Sequence, residues 1–407
     1  MNLFLVIITS LLLDTAHTEA YLQGQYGQSA MPVEGTSAGG FSVQARSVYD
    51  IDAANRVFGE ASYSWNQSQG NQWVENADYQ LLYPYLTCDT IGGGMRSETY
   101  WFRGGYRRKK AHIIWHLALQ YRALQSYRDI DPRPKNKVAD LSVEGSVGYT
   151  DDRYAYSFMA QVGRYKQNND IAFYSELGEA MVYHLVLPSE PYTRFSGGYK
   201  SAYYHGLTAG WRFMIQPCTE GFIAGAGYHY FSATEELSST TSIPIADLHI
   251  HTANARFGYA APLWRISAQA GYALRLGTQY IYGEAANNYF NLLARSTNYA
   301  EQQIAVSLAG SYRLNLPVGY MRFAADVAYL HKTATSPAPP KEGGTDTPFI
   351  SLASYLLASQ ADVQASVRYT FPLNSRFSWF IQPAAAYTYY TTRSHAWQVS
   401  LSTGVCF

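Results

Sequence analysis

The sequence IAVSLAGSYRL, residues 304–314, alternates apolar side chains with small or polar ones without a break. Ile304, Val306 and Leu308 would share one side of an extended chain, and Ser307 would lie on the other side. Side chains of a β-strand alternate with a period of two, whereas an amphipathic helix spaces its apolar residues three and four apart. The pattern therefore predicts a strand with one apolar face.

The same alternation recurs along the chain, for example over residues 141–149 (LSVEGSVGY) and 363–371 (VQASVRYTF). We predict an all-β chain with strands near residues 20–30, 40–50, 55–66, 96–107, 111–123, 139–150, 153–166, 201–215, 220–234, 247–260, 263–276, 300–314, 318–331, 358–371, 376–390 and 396–407. That makes sixteen strands, or fourteen if residues 21–39 fold inward and one further pairing fails. Pro383 falls inside a predicted strand, where it must mark a bulge or cost a ladder hydrogen bond.

Short links and long links alternate between these strands. The short links are residues 50–55, 107–110, 150–153, 216–220, 260–263, 315–318 and 372–376. The long links are about residues 66–95, 124–137, 167–200, 235–246, 277–299 and 332–357. Bacterial outer-membrane barrels have short periplasmic turns, longer external loops and an even number of strands. The alternation therefore predicts a transmembrane antiparallel up-and-down β-barrel, with both chain ends on the periplasmic side.

The composition excludes several other classes of protein. The 407 residues include 30 Lys+Arg and 30 Asp+Glu, so the net charge is zero and the basic face needed to bind nucleic acid is not expected. Only 15% of residues are charged and another 15% are aromatic, which argues against disorder. Beyond its first residues the chain has no apolar run of about 18 residues, so a helical membrane protein is excluded.

Aromatic residues collect at both ends of the predicted strands. The group beside the short links contains Tyr149, Tyr259, Trp264, Tyr312, Tyr369, Phe377 and Trp379. The group at the opposite ends contains Trp65, Tyr121, Tyr272, Tyr329, Tyr387 and Tyr389. A soluble sandwich would concentrate aromatic rings in mid-strand, whereas two bands are typical of the two interfaces of a membrane. The bands favour membrane lipid as the surroundings of the barrel.

The amino terminus predicts export. Residues 3–13 (LFLVIITSLLL) form an apolar run of the length found in signal peptides, and Thr18 and Ala20 suit the positions before a cleavage site. We expect residues 1–20 to be a signal peptide and residues 21–407 to form one barrel domain. The alternative is that the apolar run is the buried first strand of a soluble domain.

The carboxyl terminus ends the last predicted strand on an aromatic residue. In WQVSLSTGVCF, residues 397–407, Trp397, Val399, Leu401 and Phe407 share one face. This end resembles the signal that the barrel-assembly machinery of the outer membrane recognises; the alternative is the last edge strand of a soluble protein. Over nearly the whole mature length, the chain resembles outer-membrane β-barrels of Bacteroidota from a family of unknown function. The resemblance implies location and fold, and it implies no site residues.

If the apolar faces contact lipid, the opposite faces line the lumen. The predicted lining residues are Arg46, Glu60, His116, Gln120, Arg122, Glu144, Arg212, Arg265, Gln269, Arg275, Arg313, Arg322, Asp326, Gln364 and Arg368. Arginine outnumbers acidic residues in this set, and fixed cations in a pore favour anions. Either the arginines serve solute passage, or they pair with wall and loop carboxylates as a scaffold. Sixteen strands enclose enough space for an aqueous channel, unless an external loop folds inward and closes it.

Two long links are rich in aromatic residues and are the candidates for ligand binding. One contains Trp73, Tyr79, Tyr83 and Tyr85, and the other contains Tyr280, Tyr282, Tyr289 and Phe290. These rings would stack either on a sugar or aromatic ligand or, as we favour, against one another as a cap.

The sequence offers little support for catalysis. Cys88, Cys218 and Cys406 are too far apart in sequence for a disulfide framework or a cysteine zinc site, and Cys88 and Cys218 are expected at opposite membrane faces. His249 and His251 share one face of a strand, on the outward side, and have no third metal ligand that we can identify. We find no Gly-rich phosphate loop, serine elbow or HExxH helix. We therefore expect no cofactor and no enzymatic activity.

Taken together, these features predict an outer-membrane barrel for the passage or capture of a small polar or anionic solute. The first alternative is a non-conducting barrel that binds ligands at the surface or assists an uptake complex. The second, less favoured, is an outer-membrane enzyme.

Overall fold

The protein forms a closed barrel of sixteen antiparallel strands. The computed structural model describes residues 18–174, 181–186, 201–238, 242–283, 291–335 and 349–407. The first and last wall strands pair with each other, from Glu19 opposite Cys406 to Ser29 opposite Ala396. Because the sheet is closed, it has no edge with unpaired backbone groups. Such an edge would be unstable in hydrocarbon, where no water can satisfy it.

The strands of the wall have the following bounds. They are β1 (Glu19–Ser29), β2 (Ser37–Asp50), β3 (Asn55–Asn71), β5 (Gly93–Lys110), β6 (Ile113–Tyr127), β7 (Arg133–Thr150), β8 (Tyr154–Ala172), β10 (Ser201–Pro217), β11 (Gly221–Ser238), β12 (Ser242–Ala260), β13 (Trp264–Tyr282), β14 (Leu292–Asn315), β15 (Tyr320–Thr335), β16 (Gln360–Pro372), β17 (Ser378–Tyr390) and β18 (His395–Cys406). Inside the wall, β4 (Thr87–Cys88) pairs with β9 (Tyr183–His184). The helices α1 (Tyr79–Leu82) and α2 (Phe349–Leu356) lie in long links, and neither is long and apolar enough to cross a membrane.

The predicted number of sixteen strands is confirmed, and the alternative of fourteen is wrong because β1 pairs along its whole length. Several strands continue farther into the long links than predicted: β3 ends at Asn71, and β13 ends at Tyr282. Tyr280 and Tyr282 therefore lie on a strand, and their assignment to a loop is wrong. The polar ends of these strands still pair with their neighbours, because the hydrogen bonds between strands join backbone groups and do not require apolar side chains.

Pro383 lies at a gap in the pairing between β16 and β17, and it does not form a bulge. The β16–β17 ladder is continuous down to Ser366 opposite Ala384 and resumes at Tyr369 opposite Ile381. Two residues are skipped on each strand, so the register is unchanged. This is the second of the two outcomes predicted for this proline, which cannot donate a backbone hydrogen bond.

The outside of the barrel is apolar in its middle and aromatic at its ends. Leu308 is 52% exposed, and Val143 is 40% exposed, although both are large apolar side chains. At the short-link end, the rings of Tyr259 and Trp264 stack 5.4 Å apart on the outer face, and Tyr329 and Tyr387 lie outward at the other end. A closed barrel with this outer surface is a membrane-spanning protein of the bacterial outer membrane, with its short turns toward the periplasm.

The chain ends meet beside the short turns. Glu19 begins β1 and forms an ion pair with Arg368 at 3.0 Å. Cleavage after Ala20 would remove this carboxylate, so the position of cleavage remains a prediction of the sequence. The cysteines Cys88 and Cys218 lie at opposite ends of the barrel, as expected, because Cys218 follows β10 at a short turn and Cys88 lies on β4 among the long links.

We predict that Leu308→Arg lowers the free energy of unfolding by about 2–4 kcal/mol, because the outward side chain at this level contacts hydrocarbon. The matched control is Ser307→Arg, which places the same charge on the lumen side of the same strand and should cost less than about 1 kcal/mol. Urea unfolding in lipid vesicles measures both values. Equal losses would contradict the assignment of faces.

Candidate functional site

The long-link end of the barrel, which faces the outside of the cell, is filled by an inserted segment. We call residues 72–92, between β3 and β5, the plug. Its side chains Leu82, Leu86 and Cys88 are 1%, 0% and 0% exposed. They pack with inward residues of the wall, such as Phe231, and with Leu352 of α2 in one apolar core. The plug is therefore a packed part of the structure, held in place by burial of apolar surface.

A buried ion-pair cluster fixes the plug to the wall. Arg128, the residue that follows β6, contacts the carboxylate of Asp89 and lies 3.5 Å from that of Glu75. These side chains are 1% exposed for the arginine and 0% for both acids. Asn136 of β7 donates a hydrogen bond to the Glu75 carbonyl at 2.6 Å. Removing one member of such a cluster leaves an uncompensated buried charge, which is strongly destabilising.

Two predicted lumen-lining arginines also hold the plug. Arg122 donates hydrogen bonds to the carboxylate of Asp78 at 2.6 and 3.1 Å. Arg275 donates to the carbonyl oxygens of Tyr83 at 2.9 Å and Gln80 at 2.8 Å. Arg275 is only 3% exposed. Both side chains point inward as predicted, but as partners of the plug they are not open to a passing solute.

The aromatic residues proposed for ligand binding are used in packing. Tyr83 and Tyr85 are each 2% exposed, and Trp73 stacks on Tyr355 of α2 with ring centroids 6.1 Å apart. Tyr79 packs against the same core. Tyr280 and Tyr282 are 6% and 9% exposed and donate to Asp247 at 2.5 Å and to the Pro244 carbonyl at 2.6 Å. The geometry therefore supports the cap, whereas Tyr289 and Phe290 lie outside the described residues.

Below the plug, one side of the lumen carries a paired network of charges on β2, β3, β5, β6 and β7. Glu60 lies 3.6 Å from Arg46 and 3.5 Å from Arg103. Arg103 also contacts Glu144, which lies 3.0 Å from the Nε2 atom of His116. These contacts match the scaffold interpretation. Arg103 was not among the predicted lining residues, although it follows the outward Phe102 in an alternating strand and therefore faces the lumen.

Ser146 extends this network, because its hydroxyl contacts the Nδ1 atom of His116. Serine, histidine and a carboxylate in series are also the residue types of a hydrolase. Here, however, Glu144 is shared with Arg103, and β6 and β7 pair in register on both sides of His116. The ladder uses the backbone N–H groups that an oxyanion hole would need. We therefore interpret the series as part of the wall.

The other side of the lumen carries arginines in direct opposition. Arg313 of β14 lies opposite Arg322 of β15, and Arg322 lies opposite Arg368 of β16. We call these three residues the arginine row. Like charges directly opposite each other on neighbouring strands are destabilising. Arg368 is relieved by Glu19, and Arg313 lies 4.1 Å from the centre of the Tyr320 ring, whereas Arg322 has no ion pair within the described residues.

More cations continue the arginine row along the same side. Arg265 of β13 points into the lumen, as Arg256 of β12 and Arg322 of β15 do. Arg212 lies farther round, on β10, also inward. Glu19 pairs with Arg368, and the inward acid on β15 is Asp326, four residues beyond Arg322 and opposite Gln364. The periplasmic half of the lumen is therefore paired on one side and has excess positive charge on the other.

The two histidines considered as metal ligands face outward, as predicted from their position. Their Nδ1 atoms lie 2.7 Å from tyrosine hydroxyls, His249 from Tyr230 and His251 from Tyr228. Within the described residues, no group of three His, Cys, Asp or Glu side chains is placed to hold a metal ion.

Comparisons with known proteins give a family and a distant likeness in fold. The profile of a family described as "Family of unknown function (DUF6850)" matches residues 8–342. The sequence matches none of the curated proteins.

Three solved structures illustrate the likeness. A Pseudomonas aeruginosa FadL homologue is 11% identical, with 96% of this chain and 90% of that chain covered and a TM-score of 0.43. The Ralstonia pickettii toluene transporter TbuX is 10% identical, with coverages of 97% and 90% and a TM-score of 0.41. BauA, the ferric preacinetobactin receptor from Acinetobacter baumannii, is 8% identical, with coverages of 96% and 81% and a TM-score of 0.41. At these TM-scores the likenesses are too distant to indicate a solute or a mechanism.

We predict that Arg128→Ala loosens the plug, because it leaves Glu75 and Asp89 without their shared cation, at a cost of about 3–5 kcal/mol. Cys88, which is 0% exposed, reports the change as faster labelling by an impermeant maleimide added outside cells. Cys218→Ser and Cys406→Ser remove the other thiols. The control is Arg133→Ala, a rim arginine 40% exposed and paired with Asp131. Equal labelling of the Arg128 and Arg133 variants would contradict the role of the cluster.

The seating of the plug should depend on pH. Burial, followed by the nearby Asp89 carboxylate, raises the pKa of Glu75 well above its usual range, although Arg128 opposes the shift. The seated plug thus binds a proton that the released plug loses, so acid favours the seated state and rising pH weakens it. Cleavage within the plug by an external protease that is active over this pH range should be slower at about pH 5 than at about pH 8. Glu75→Gln should flatten this dependence, and an unchanged dependence would exclude Glu75 as its source.

Proposed function

This chain belongs to the DUF6850 family of unknown function, and we propose that it passes small anionic solutes across the outer membrane when the plug is displaced. The proposal is for a non-enzymatic channel. Its solute-selecting part is the arginine row together with Arg265, in the periplasmic half of the lumen.

The observation that carries the proposal is the direct opposition of the three arginines of the row. A wall that needed only stability would pair each arginine with a carboxylate, as the wall on the other side pairs Arg103 with Glu60 and Glu144. Placing Arg322 between Arg313 and Arg368 instead concentrates positive charge at one level of the pore. Fixed cations in a confined pore lower the barrier for anions and raise it for cations.

The plug makes this passage conditional. In the seated state, the apolar core, the ion pairs of Arg122 and Arg128 and the hydrogen bonds from Arg275 to plug carbonyls close the outer half of the lumen. The arginine row lies beyond that core, two residues from the end of β14 and two from the start of β15. An anion entering from outside would reach the row only after the plug moves.

The filled outer half also favours the alternative of a non-conducting barrel that acts as a surface binder or assists an uptake complex. A plug with side chains 0–2% exposed, such as those of Leu86 and Tyr85, is a stable wall against free diffusion. The two candidates differ in one respect: release of the plug produces a selective pore only if the barrel is a channel.

We predict anion-selective conductance once the plug is released by Asp78→Asn with Arg128→Ala. In planar bilayers with a salt gradient, the reversal potential should indicate anion preference, because the arginine row remains in place. Adding Arg313→Ala and Arg322→Ala should lower the anion-to-cation permeability ratio by about a factor of five. The matched control is Arg376→Ala, in the short turn after β16 and outside the lumen.

Two results would contradict the proposal. A plug-released protein that stays silent favours the non-conducting barrel. A selectivity that is unchanged by loss of Arg313 and Arg322, or changed as much by Arg376→Ala, removes the arginine row as its source.

A further inference from the structure

The outer surface of the barrel carries a group of cations near the external end of β7 and β8. We call Lys135, Lys137, Arg164 and Lys166 the outer basic patch. All four are exposed and lie on the lipid-facing side of their strands, in alternation with buried inward residues. Lys166 lies opposite Ala139 of β7, and two residues farther along each strand Lys137 lies opposite Asn168. The four side chains therefore share one area of the outer wall.

The patch begins where the apolar band ends. Arg164 lies opposite Leu141 on one side and Leu207 on the other, and these are 42% and 60% exposed. Arg164 is ten residues beyond Tyr154, the first residue of β8. At about 3.3 Å per residue and a tilt of about 40°, this places it roughly 25 Å from the periplasmic turns, the height of an apolar band. Arg164 and the three lysines thus lie at the level of the outer headgroups.

The positive charge of the patch is not neutralised by the wall. Within the described residues, no carboxylate lies within ion-pair distance of any of the four side chains. The acids facing outward near them are Asp170, opposite both Lys135 and Ser201; Glu236, which lies 3.8 Å from His205; and Glu98 of β5, which accepts a hydrogen bond from Tyr100 and is separated from Lys137 by Gln125 of β6. Four cations thus face three acids, of which Glu236 already has a histidine partner and Glu98 a tyrosine partner.

The other outward cations that the described wall strands carry near this rim are already engaged. Arg96 pairs with Asp129 at 2.7 Å, Arg133 pairs with Asp131 at 2.7 Å, and Arg295 lies 4.5 Å from the centre of the Tyr280 ring. Among the described wall strands, the unengaged outward cations at this end lie on the neighbouring strands β7 and β8, so the patch is a local feature of the wall.

We propose that the outer basic patch binds the phosphate groups of lipid A, the lipid anchor of lipopolysaccharide, in the outer leaflet. Clusters of four or more Lys and Arg beside a membrane attract anionic headgroups. The guanidinium of Arg164 offers two parallel N–H donors to one phosphate, and the lysine stems lie along apolar surface while their ammonium groups reach the headgroup level. The acyl chains would then lie against Leu141, Val143 and Val162 below the patch.

The test uses the full-length protein in detergent and bisphosphorylated lipid A as the probe. Native mass spectrometry should show retention of lipid A by the unaltered protein. The triple variant Lys137→Gln, Arg164→Gln and Lys166→Gln should lose at least about tenfold in affinity, because each surface cation contributes to phosphate attraction. The matched control is Lys109→Gln with Lys110→Gln, two exposed lysines at the short-turn end, and it should bind as the unaltered protein does.

Two further arms identify the source of the phosphate. Dephosphorylated lipid A should bind no better to the unaltered protein than to the triple variant, and inorganic phosphate at millimolar concentration should not displace lipid A. Heat-dependent gel mobility confirms that each variant forms a barrel.

The proposal is overturned if the folded triple variant retains lipid A as well as the control variant does. It is also overturned if the dephosphorylated lipid binds equally, since the acyl chains alone would then account for binding. Displacement by free phosphate would indicate a site for a soluble anion instead. None of these outcomes depends on conductance, so they are independent of the proposed channel.

Discussion

Backbone N–H and C=O groups have no water to bond with inside a membrane, so every wall strand needs a hydrogen-bonded neighbour on both sides. The pairing of β1 with β18 meets this requirement and closes the sheet. Closure in turn gives each strand one face toward lipid and one toward the lumen. Both the apolar outer band and the charged interior follow from that single geometric condition, because strict alternation is the only pattern that satisfies both surroundings.

The charged side chains inside the barrel are stabilised in two different ways. In the outer half, Arg128 and Arg122 are desolvated and therefore require the carboxylates that the plug supplies. In the periplasmic half, Arg322 is exposed to the lumen and needs no protein partner, because water solvates it. Arginine therefore has two roles in this barrel. The buried arginines hold the plug, and the exposed arginines give the pore its positive potential.

The outer surface is divided in a similar way. Below Arg164 the lipid-facing residues of β7 and β8 are mostly apolar, and from Arg164 upward they include the four cations of the outer basic patch. The change occurs at the height where hydrocarbon gives way to headgroups. The same strands thus carry two independent surfaces, one toward the lumen and one toward the membrane. On β7, Glu144 points inward and joins the charge network of the lumen, whereas Leu141 and Lys137 point outward to the membrane.

The amino-acid sequence by itself determined the number of wall strands and the two faces of their central parts, since period-two alternation and link length are local properties of the chain. It placed Arg46, His116, Arg313 and Arg322 in the lumen, and it placed Leu308 and Val143 in lipid. Only the tertiary structure decided which arginines are open to solute and which hold the plug. Whether Arg275 meets water or the carbonyls of Gln80 and Tyr83 depends on how a distant link folds back into the barrel. No local pattern encodes that, because the contact joins residues almost two hundred positions apart and is chosen by the packing of the apolar core around Leu82 and Leu86.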